Sequence, residues 1–197
     1  MSGIRSLTRR PVQQGFATAQ SAPIRVDDTT GQVVIINAGS GTTEVALMAA
    51  YKPNAAITAA TYTPAAKDSG LLLAYSALAG LTVTLPAATG TGNRYKFFRT
   101  VAATSVGDVF KVANATDYMR GVVSEVAKDD ALLTSWATTN TGTVATESDT
   151  VTWNLTTTGL CDVSDWIEFI DITPAVWLVS SFYTANGAEA TPFSAAQ

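Results

Sequence analysis

The sequence predicts an all-β protein, an antiparallel β-sandwich or jelly roll preceded by an extended N-terminal arm. Short apolar runs at residues 71–75, 81–86 and 95–98 are separated by clusters of Gly, Pro, Asn and Ser. In the second run Leu81, Val83 and Leu85 alternate with Thr82 and Thr84, which is the period-two pattern of a half-buried strand. Thr is abundant along the chain, and strands tolerate it on a solvated face.

The expected strands follow one another at short intervals. The first covers residues 32–37, and residues 44–51 fit either a strand or a single helical turn. The remaining strand candidates are residues 58–63, 71–75, 81–85, 95–101, 109–112, 150–155, 166–172 and 176–183. About eight short strands with turn residues between them indicate a sandwich, a jelly roll or a barrel.

Three segments lack a clear strand pattern. Residues 124–133 fit a short helix with Ser124 as its N-cap, or a loop that crosses between strands. Residues 138–146 read as a surface loop, and residues 184–197 as a loose tail. The predicted organisation is an arm at 1–31, a transitional strand and turn segment at 32–57, a β-sandwich body at 58–183 and a C-terminal tail at 184–197.

The charges are distributed unevenly along the chain. The first 26 residues contain Arg5, Arg9, Arg10 and Arg25 and no acid, while the remainder has eight basic and sixteen acidic residues. Phe16 is the one aromatic residue in this stretch that could anchor it. A basic segment before an acidic body is suited to docking on an acidic protein surface or on nucleic acid, and a solvated tail is the alternative.

Composition points to a protein that is covered by partners. Charged residues make up 14% of the chain, below the usual share of roughly 25%. A merely neutral globule is the alternative reading. We expect no secretory signal and no membrane span, because no sufficiently long apolar run is present. The single cysteine, Cys161, follows Leu160 and is expected to be a buried, inert thiol of a chain that folds in a cytosol.

The sequence lacks the residues of the common catalytic sites. There is no histidine, which removes the commonest general base and most zinc sites, and no glycine-rich phosphate loop. A lone Cys161 without histidine is a poor nucleophile. We therefore predict no enzyme activity, no catalytic residues and no cofactor.

Acidic residues recur in two places. Four of them occur at every third position, which alternates between the two faces of a strand and prevents convergence: Asp162, Asp165, Glu168 and Asp171. A second group, Glu125 with Asp129 and Asp130, offers calcium ligands but lacks the pattern of a dedicated calcium loop. We read all of these as solvated acids and predict no metal site.

Two segments carry apolar residues on both faces of a strand. Residues 176–179 are wholly apolar, and the pair at 97–98 places an aromatic ring on each side. Either these strands are covered on both sides, or one face meets another subunit, with a β-bulge at Phe98 as a local alternative. We predict a subunit interface at Phe98, Trp177 and Val179. Residues 94–99 also mix cations with aromatics, but a core strand with a basic outer face is favoured over nucleic-acid binding.

The middle of the chain resembles the capsid decoration proteins of tailed bacteriophages. The resemblance rests on Tyr62-Thr63, Lys67-Asp68-Ser69-Gly70, the strand ending Thr82-Val83-Thr84-Leu85-Pro86, a small-residue turn through Gly90, and Tyr95-Lys96-Phe97. It continues in the final strand pair, residues 165–170 and 176–180. It covers roughly residues 58–183 and not the arm. Strands of the "TVTLP" type also occur in phage tail and fibre components.

This resemblance implies a structural virion protein on the outer capsid surface. Such proteins commonly form homotrimers, and their extended termini reach over neighbouring subunits of the major capsid protein. The arm residues Arg5, Arg9, Arg10, Phe16 and Arg25 would then bind the capsid. The alternative is a head-fibre or tail-associated module that binds a receptor or a glycan, with Trp136 as the candidate for stacking on sugars. A depolymerase is a third and weaker reading.

Overall fold

The computed structural model describes residues 24–26, 33–36, 44–46, 56–186 and 189–196. The chain divides into two units, Met1–Ala50 and Tyr51–Gln197. In the first unit, strands β1 (Ile24–Val26), β2 (Val33–Ile36) and β3 (Glu44–Ala46) form an antiparallel sheet in that order. The strand predicted at 32–37 is confirmed, and a strand begins the ambiguous segment at 44–51. Arg25 lies in β1 rather than in an unpaired arm. The other predicted arm residues, Arg5, Arg9, Arg10 and Phe16, lie outside the described residues.

The described part of the second unit contains eleven strands and two short 3-10 helices, Ala66–Asp68 and Val144–Thr146. Each strand candidate between residues 58 and 183 corresponds to one of them. The strands are β4 (Thr61–Tyr62), β5 (Leu72–Tyr75), β6 (Thr82–Thr84), β7 (Arg94–Arg99), β8 (Val109–Lys111), β9 (Tyr118–Ala127), β10 (Leu133–Ala137), β11 (Thr150–Thr152), β12 (Trp166–Thr173), β13 (Val176–Ala185) and β14 (Phe193–Ser194).

These strands form two sheets that pack against each other, which confirms the predicted β-sandwich. The larger sheet has the order β10-β9-β13-β12-β7-β5, and the smaller one β14-β11-β8-β6-β4. The sheets are mixed rather than purely antiparallel, since β9 and β13, β5 and β7, β4 and β6, and β6 and β8 pair in parallel. The chain alternates between the sheets from β4 to β8. Each return to the same sheet is therefore a crossover, and a crossover produces parallel neighbours.

The helix or crossing loop expected at residues 124–133 is instead a β-hairpin. Strand β9 continues to Ala127, a short turn follows, and β10 begins at Leu133 and pairs antiparallel with β9. Ser124 is no N-cap, because it lies within β9 and its hydroxyl bonds to that of Ser135 across the hairpin at 3.0 Å. The expected tail also contains a strand, since Phe193 of β14 is buried and pairs with Val151.

An aromatic cluster fills the space between the two sheets. The Phe110 ring of the smaller sheet lies 5.6 Å from Phe97 and 5.8 Å from Phe169 of the larger sheet, measured between centroids. Trp153 joins it at 5.3 Å from Phe110 and 5.2 Å from Tyr183. Such pairs add about 0.5–1.5 kcal/mol each beyond the apolar area that they bury. Trp153 and Trp177 are both buried in this core.

Asp171 fixes the small-residue turn after β6. Its carboxylate accepts hydrogen bonds from the backbone N–H groups of Thr89, Gly90 and Thr91 and from the hydroxyl of Thr91. Burial alone would raise the pKa of this carboxyl, but these bonds together lower it. Gly90 has a φ of +75°, and a Cβ there would lie 3.1 Å from Pro174 and Thr173. Asp171 is therefore a structural residue and not a solvated acid.

Asp165 is also buried, at 2% exposed, so the expectation of a solvated acid is wrong here too. Its carboxylate accepts hydrogen bonds from the N–H groups of Asp162 and Thr184 and from the Thr184 hydroxyl. Burial nevertheless raises the pKa of Asp165 to about 6, and the neighbouring Asp162 carboxylate adds to the rise. Asp162 is itself paired with Lys128.

This raised pKa predicts a pH dependence of folding. Between about pH 4 and pH 6 the folded chain holds a proton on Asp165 that the unfolded chain has lost. The free energy of unfolding should therefore fall by about 2–3 kcal/mol as the pH rises through this window. We expect the Asp165→Asn variant to lack this part of the pH dependence in urea unfolding. Equal slopes for the variant and the wild type would contradict the assignment.

Candidate interaction face

The side of the larger sheet that points away from the smaller sheet is the candidate functional surface, here called the outer face. Side chains alternate along each strand, so every second residue of β5, β7, β12, β13, β9 and β10 lies on it. Along β13 the residues Trp177, Val179 and Tyr183 are buried inward, while Leu178 and Phe182 are exposed outward. The outer face is therefore built by strands whose inner sides are fixed in the core.

An aromatic row crosses the middle of the outer face on three adjacent strands. Trp166 of β12 lies between Phe98 of β7 and Phe182 of β13, and the strand register pairs it directly with both. Trp166 and Phe98 are half-buried and Phe182 is 43% exposed. Neighbouring side chains of this kind cover one another only in part, so the row leaves a contiguous apolar strip in contact with solvent.

Further exposed aliphatic side chains lie elsewhere on the outer face. Ile170 of β12 is paired with Leu178 of β13, which is 38% exposed, and the Glu168–Ser180 pair separates them from the aromatic row. Val122 and Leu133 are 49% and 67% exposed on β9 and β10, where Ser124 and Ser135 continue the row from Phe182. Isolated exposed apolar residues are normal, so the contiguous apolar contact surface is the aromatic row.

The charges on the central strands of the outer face are matched locally. Arg94 of β7 forms an ion pair with Glu168 of β12. The Lys96 ammonium lies 4.0 Å from the centroid of the Trp166 ring, within range of a cation–π contact. Lys96, Arg94 and Glu168 also line a concavity of about 220 Å³ beside β5. Because these charges already have partners, the face does not require a strongly charged ligand.

The dimensions of the outer face suit a protein contact. Six strands about 4.8 Å apart, each contributing about six residues at 3.3 Å, cover roughly 500–600 Å². A standard protein interface buries about 800 Å² on each partner. The face can therefore supply most of such an interface, with loops at its rim supplying the rest.

The structure corrects the predicted subunit interface. Phe98 does lie on the outer face, and its regular pairing with Trp166 leaves no β-bulge there. Trp177 and Val179, however, are each 1% exposed and belong to the core of the chain itself. They have no surface to offer a partner. The residues of this strand that are exposed on the outer face are Leu178 and Phe182.

Residues 94–99 form a core strand with a basic outer side, as predicted from their alternation. Tyr95, Phe97 and Arg99 are buried, and Arg94, Lys96 and Phe98 point outward. No face of this strand gathers exposed cations between exposed rings.

The remaining candidate residues are either buried in the fold or located away from the outer face. Cys161 is fully buried as predicted, and burial raises the pKa of its thiol. Trp136, the candidate for stacking on sugars, is partly buried and donates its indole N–H to Glu125 at 3.0 Å. Glu168 is buried to 8% exposure beside Arg94 and is no solvated acid. The carboxylate oxygens of Asp129 and Asp130 lie within 4.8 Å of those of Glu189, which takes the place that the prediction gave to Glu125.

Comparison with known proteins adds no relative. No protein-family model matches the chain, and a search of curated proteins finds no match. Among the described residues, no helix is both long and apolar enough to span a membrane. The functional argument therefore rests on the geometry of the outer face and on the sequence resemblance given above.

Proposed function

We propose that this chain is a non-enzymatic structural protein that decorates the outer surface of a bacteriophage capsid and stabilises it. Copies contact one another through the outer face and form a homotrimer, and the basic N-terminal segment contacts the major capsid protein. The chain is made in the bacterial cytoplasm and resides on the outside of the virion. The observation that carries this proposal is the exposed apolar strip on the outer face of the larger sheet. The opposite side of this sheet is already buried in the core of the chain.

A second copy of the chain is the occupant that best suits the outer face. Its central charges are already paired, so neither a strongly acidic nor a strongly basic ligand is favoured. The aromatic row is an apolar surface that matches another apolar surface, and symmetric oligomers provide one by repeating the same chain.

Capsid binding then follows from many weak contacts. A trimer presents three N-terminal segments, each with Arg5, Arg9, Arg10 and Arg25. Once one segment is bound, the others bind at a high effective concentration, so modest single contacts give strong attachment. The shell gains resistance to internal pressure because each trimer connects several capsid subunits. No described residue set supports a chemical step, so the proposed action is mechanical.

Deletion of residues 1–26 tests the contact with the capsid. The second unit, Tyr51–Gln197, contains none of these residues, so we expect the truncated chain to stay folded. We also expect it to lose sedimentation with capsid shells that lack the native protein. Normal decoration by the truncated chain would contradict the assigned role.

A charge variant separates the cations from strand β1, which the deletion also removes. This variant keeps the length of the chain and changes four arginines to glutamine: Arg5, Arg9, Arg10 and Arg25. It should bind shells at least about tenfold more weakly than the wild type, since each lost contact with an acidic surface is multiplied over the oligomer. A receptor- or glycan-binding role stays a prediction without specific support, because Trp136 is already bonded to Glu125.

A further inference from the structure

Strand β10 forms one edge of the larger sheet and lacks the features that usually protect such an edge. It is the outermost strand in the order, and its residues pair with β9 in a regular register without a bulge. Its sequence, Leu-Thr-Ser-Trp-Ala, contains no charge and no proline. Natural sheets normally place a charge, a proline, a bulge or a very short strand at an edge, because an open edge invites pairing with another chain.

The other sheet edges in the described part of the second unit are better protected. Strands β4 and β14, the edges of the smaller sheet, are each two residues long. Strand β5, the opposite edge of the larger sheet, is covered at its end by Ile57. The N–H of Ile57 donates to the carbonyl of Ala74 at 2.8 Å, and its carbonyl accepts the N–H of Ser76 at 2.9 Å. Strand β10 is therefore the longest open edge among these strands.

The hydrogen-bonding groups at this edge belong to alternate residues of β10. At the two ends of the hairpin, the N–H of Ala127 donates to the carbonyl of Leu132, and the N–H of Thr138 donates to the carbonyl of Gly121. Because hydrogen-bonded pairs alternate in an antiparallel ladder, the even-numbered residues of β10 direct their backbone groups toward β9 and the odd-numbered residues direct theirs away from it. Within the part of the chain that the structure describes, no strand pairs with the odd-numbered residues, which are Leu133, Ser135 and Ala137.

We propose that the β10 edges of two copies pair antiparallel across a two-fold axis at Ser135. In this register Ser135 faces Ser135 of the second copy, and Leu133 faces Ala137. All three of these residues direct their backbone groups outward, so the facing pairs exchange about six hydrogen bonds. The larger sheets of the two copies then form one continuous sheet through an isologous contact.

The side chains in this register are complementary to their own copies. On the outer face Leu133, which is 67% exposed, is covered in part by Ala137 of the second copy. On the inward side Trp136 lies beside Thr134 of the second copy. An aromatic and a β-branched residue on facing strands form one of the pairs that stabilise a sheet. No charged side chain of β10 has to lose its hydration when the edges meet.

The charges beyond the two ends of β10 favour the antiparallel alignment over the parallel one. The turn before β10 contains Asp129 and Asp130, and Arg120 lies beyond the other end, where it donates to Oδ1 of Asn140 at 3.0 Å. Antiparallel pairing places the acidic turn of one copy toward Arg120 of the other and keeps the two acidic turns apart. Because Arg120 already pairs with Glu147, these charges decide the alignment more than the strength of the contact.

The contact is too small to hold two free copies together firmly. Five residues on each side span about 17 Å, and one pair of strands buries much less than the standard interface of about 800 Å² on each partner. It therefore dissociates on dilution and forms where copies are concentrated. Its role on a shell, where it would join neighbouring oligomers, rests on the proposed function. The pairing itself does not, because it uses the backbone of β10 and not the aromatic row.

Cysteine cross-linking of the full-length chain tests the pairing and its register. In the Ser135→Cys variant the two Cα atoms at the axis lie about 5.5 Å apart, within the range of a disulfide. In the Ala137→Cys variant they lie about 13 Å apart, which is too far. Cys161 is fully buried and does not compete. After oxidation at about 1 mM protein, we expect at least about tenfold more disulfide-linked dimer from Ser135→Cys than from Ala137→Cys. Equal yields from the two variants would overturn the proposal.

A proline variant tests the backbone pairing. Ala137→Pro in the Ser135→Cys chain removes an N–H group that points away from β9, so the fold should be retained. The cross-link should nevertheless fall at least about fivefold, because the proline removes hydrogen bonds on both sides of the axis. An unchanged yield would show that the thiols meet without strand pairing and would overturn the proposal.

A third variant separates this contact from the outer face. Phe182→Lys in the Ser135→Cys chain removes the proposed trimer contact and should still give at least about tenfold more cross-link than Phe182→Lys with Ala137→Cys. A cross-link that disappears with Phe182→Lys would assign the contact to the outer-face oligomer and overturn the edge pairing. A cross-link that persists while the wild type is monomeric in dilute solution would contradict the trimer and leave the edge pairing supported.

Discussion

Replacing Arg99 with Met is expected to lower the free energy of unfolding by about 3–5 kcal/mol. Arg99 and Asp108 form an ion pair at 2.7 Å whose side chains are both fully buried. The variant leaves the Asp108 carboxylate in the core without its cation. An uncompensated buried charge costs more than the pair contributes, and that cost is what the substitution exposes.

Several further bonds depend on this ion pair. The Arg99 guanidinium also donates to the carbonyls of Ala77 and Val101. Asp108 accepts from the Tyr75 hydroxyl at 2.7 Å and from the N–H of Leu81 at 2.8 Å. Burial and the Asp108 carboxylate raise the pKa of Tyr75, so the phenol stays protonated and remains a donor. The pair therefore connects strand β5, strand β7 and the start of β6 across the two sheets.

Arg94 provides a matched control on the same strand. It undergoes the same change to Met, but its side chain is 56% exposed, so water reaches its ion pair with Glu168 although Glu168 itself is mostly buried. We expect this variant to cost about 1–2 kcal/mol in urea unfolding, clearly less than Arg99→Met, because water can replace the lost cation. If Arg99→Met fails to fold, the double variant Arg99→Met with Asp108→Asn should recover a folded chain, because the orphaned charge is gone while the amide oxygen can still accept a hydrogen bond. Equal stabilities of Arg99→Met and Arg94→Met would contradict the account.

Replacing Phe182 with Lys is expected to abolish self-association. Phe182 is 43% exposed in the isolated chain and ends the aromatic row. A lysine there places an ammonium group against the apolar strip of the neighbouring copy, where it must lose its hydration without gaining a partner. Central aromatic residues carry much of the energy of an interface, and we expect at least about a hundredfold weaker association. Light scattering on size-exclusion fractions should give 20.5 kDa for this variant.

Val106→Lys is the control for this variant. Val106 is 58% exposed but lies outside the larger sheet, so the same charge is added away from the outer face. This variant should keep the mass of the wild type, a multiple of 20.5 kDa for which three copies are expected. If Phe182→Lys and the wild type have the same mass, the copies do not meet through the outer face.

Local patterning predicted the strands but could not assign their faces. Along β13 both sets of alternate residues are apolar at Trp177, Leu178 and Val179, so periodicity gives two equivalent orientations. The choice is made by packing between the sheets, where Tyr183 of β13 lies 5.2 Å from Trp153. The predicted interface residues Trp177 and Val179 therefore lie on the buried side of β13.

Long-range pairs were the least predictable part of the molecule. The spacing of Asp162, Asp165, Glu168 and Asp171 predicted no convergence, but Asp162 and Asp165 precede β12 and are close enough for the Asp162 charge to raise the pKa of Asp165. The spacing also carried no sign that Asp171 would bind the turn at Thr89–Thr91. Likewise, the partner of Asp129 and Asp130 was sought at Glu125, close in sequence, while Glu189 comes from the far end of the chain. The local sequence pattern predicts whether a segment is a helix or a strand. It does not predict which distant segment will pack against it.

The hairpin at β9 and β10 shows how composition misled the prediction. Lys128, Asp129 and Asp130 interrupt the apolar residues and, with Ser124, imitate a capped helix. Val122, Val123 and Val126 are β-branched, which favours a strand, and their alternating burial confirms one. These charged residues form the turn that follows β9, and Ala131 adopts a φ of 58° in this turn.

Imaging of virions assembled with and without this chain tests the central claim most directly. Electron cryo-microscopy of particles made with the chain should show trimeric density on the outer capsid surface, and particles made without it should lack that density. Particles with the Phe182→Lys variant should resemble the latter. Outer surfaces that are identical in all three preparations, or density on the tail instead of the capsid, would contradict the proposed role.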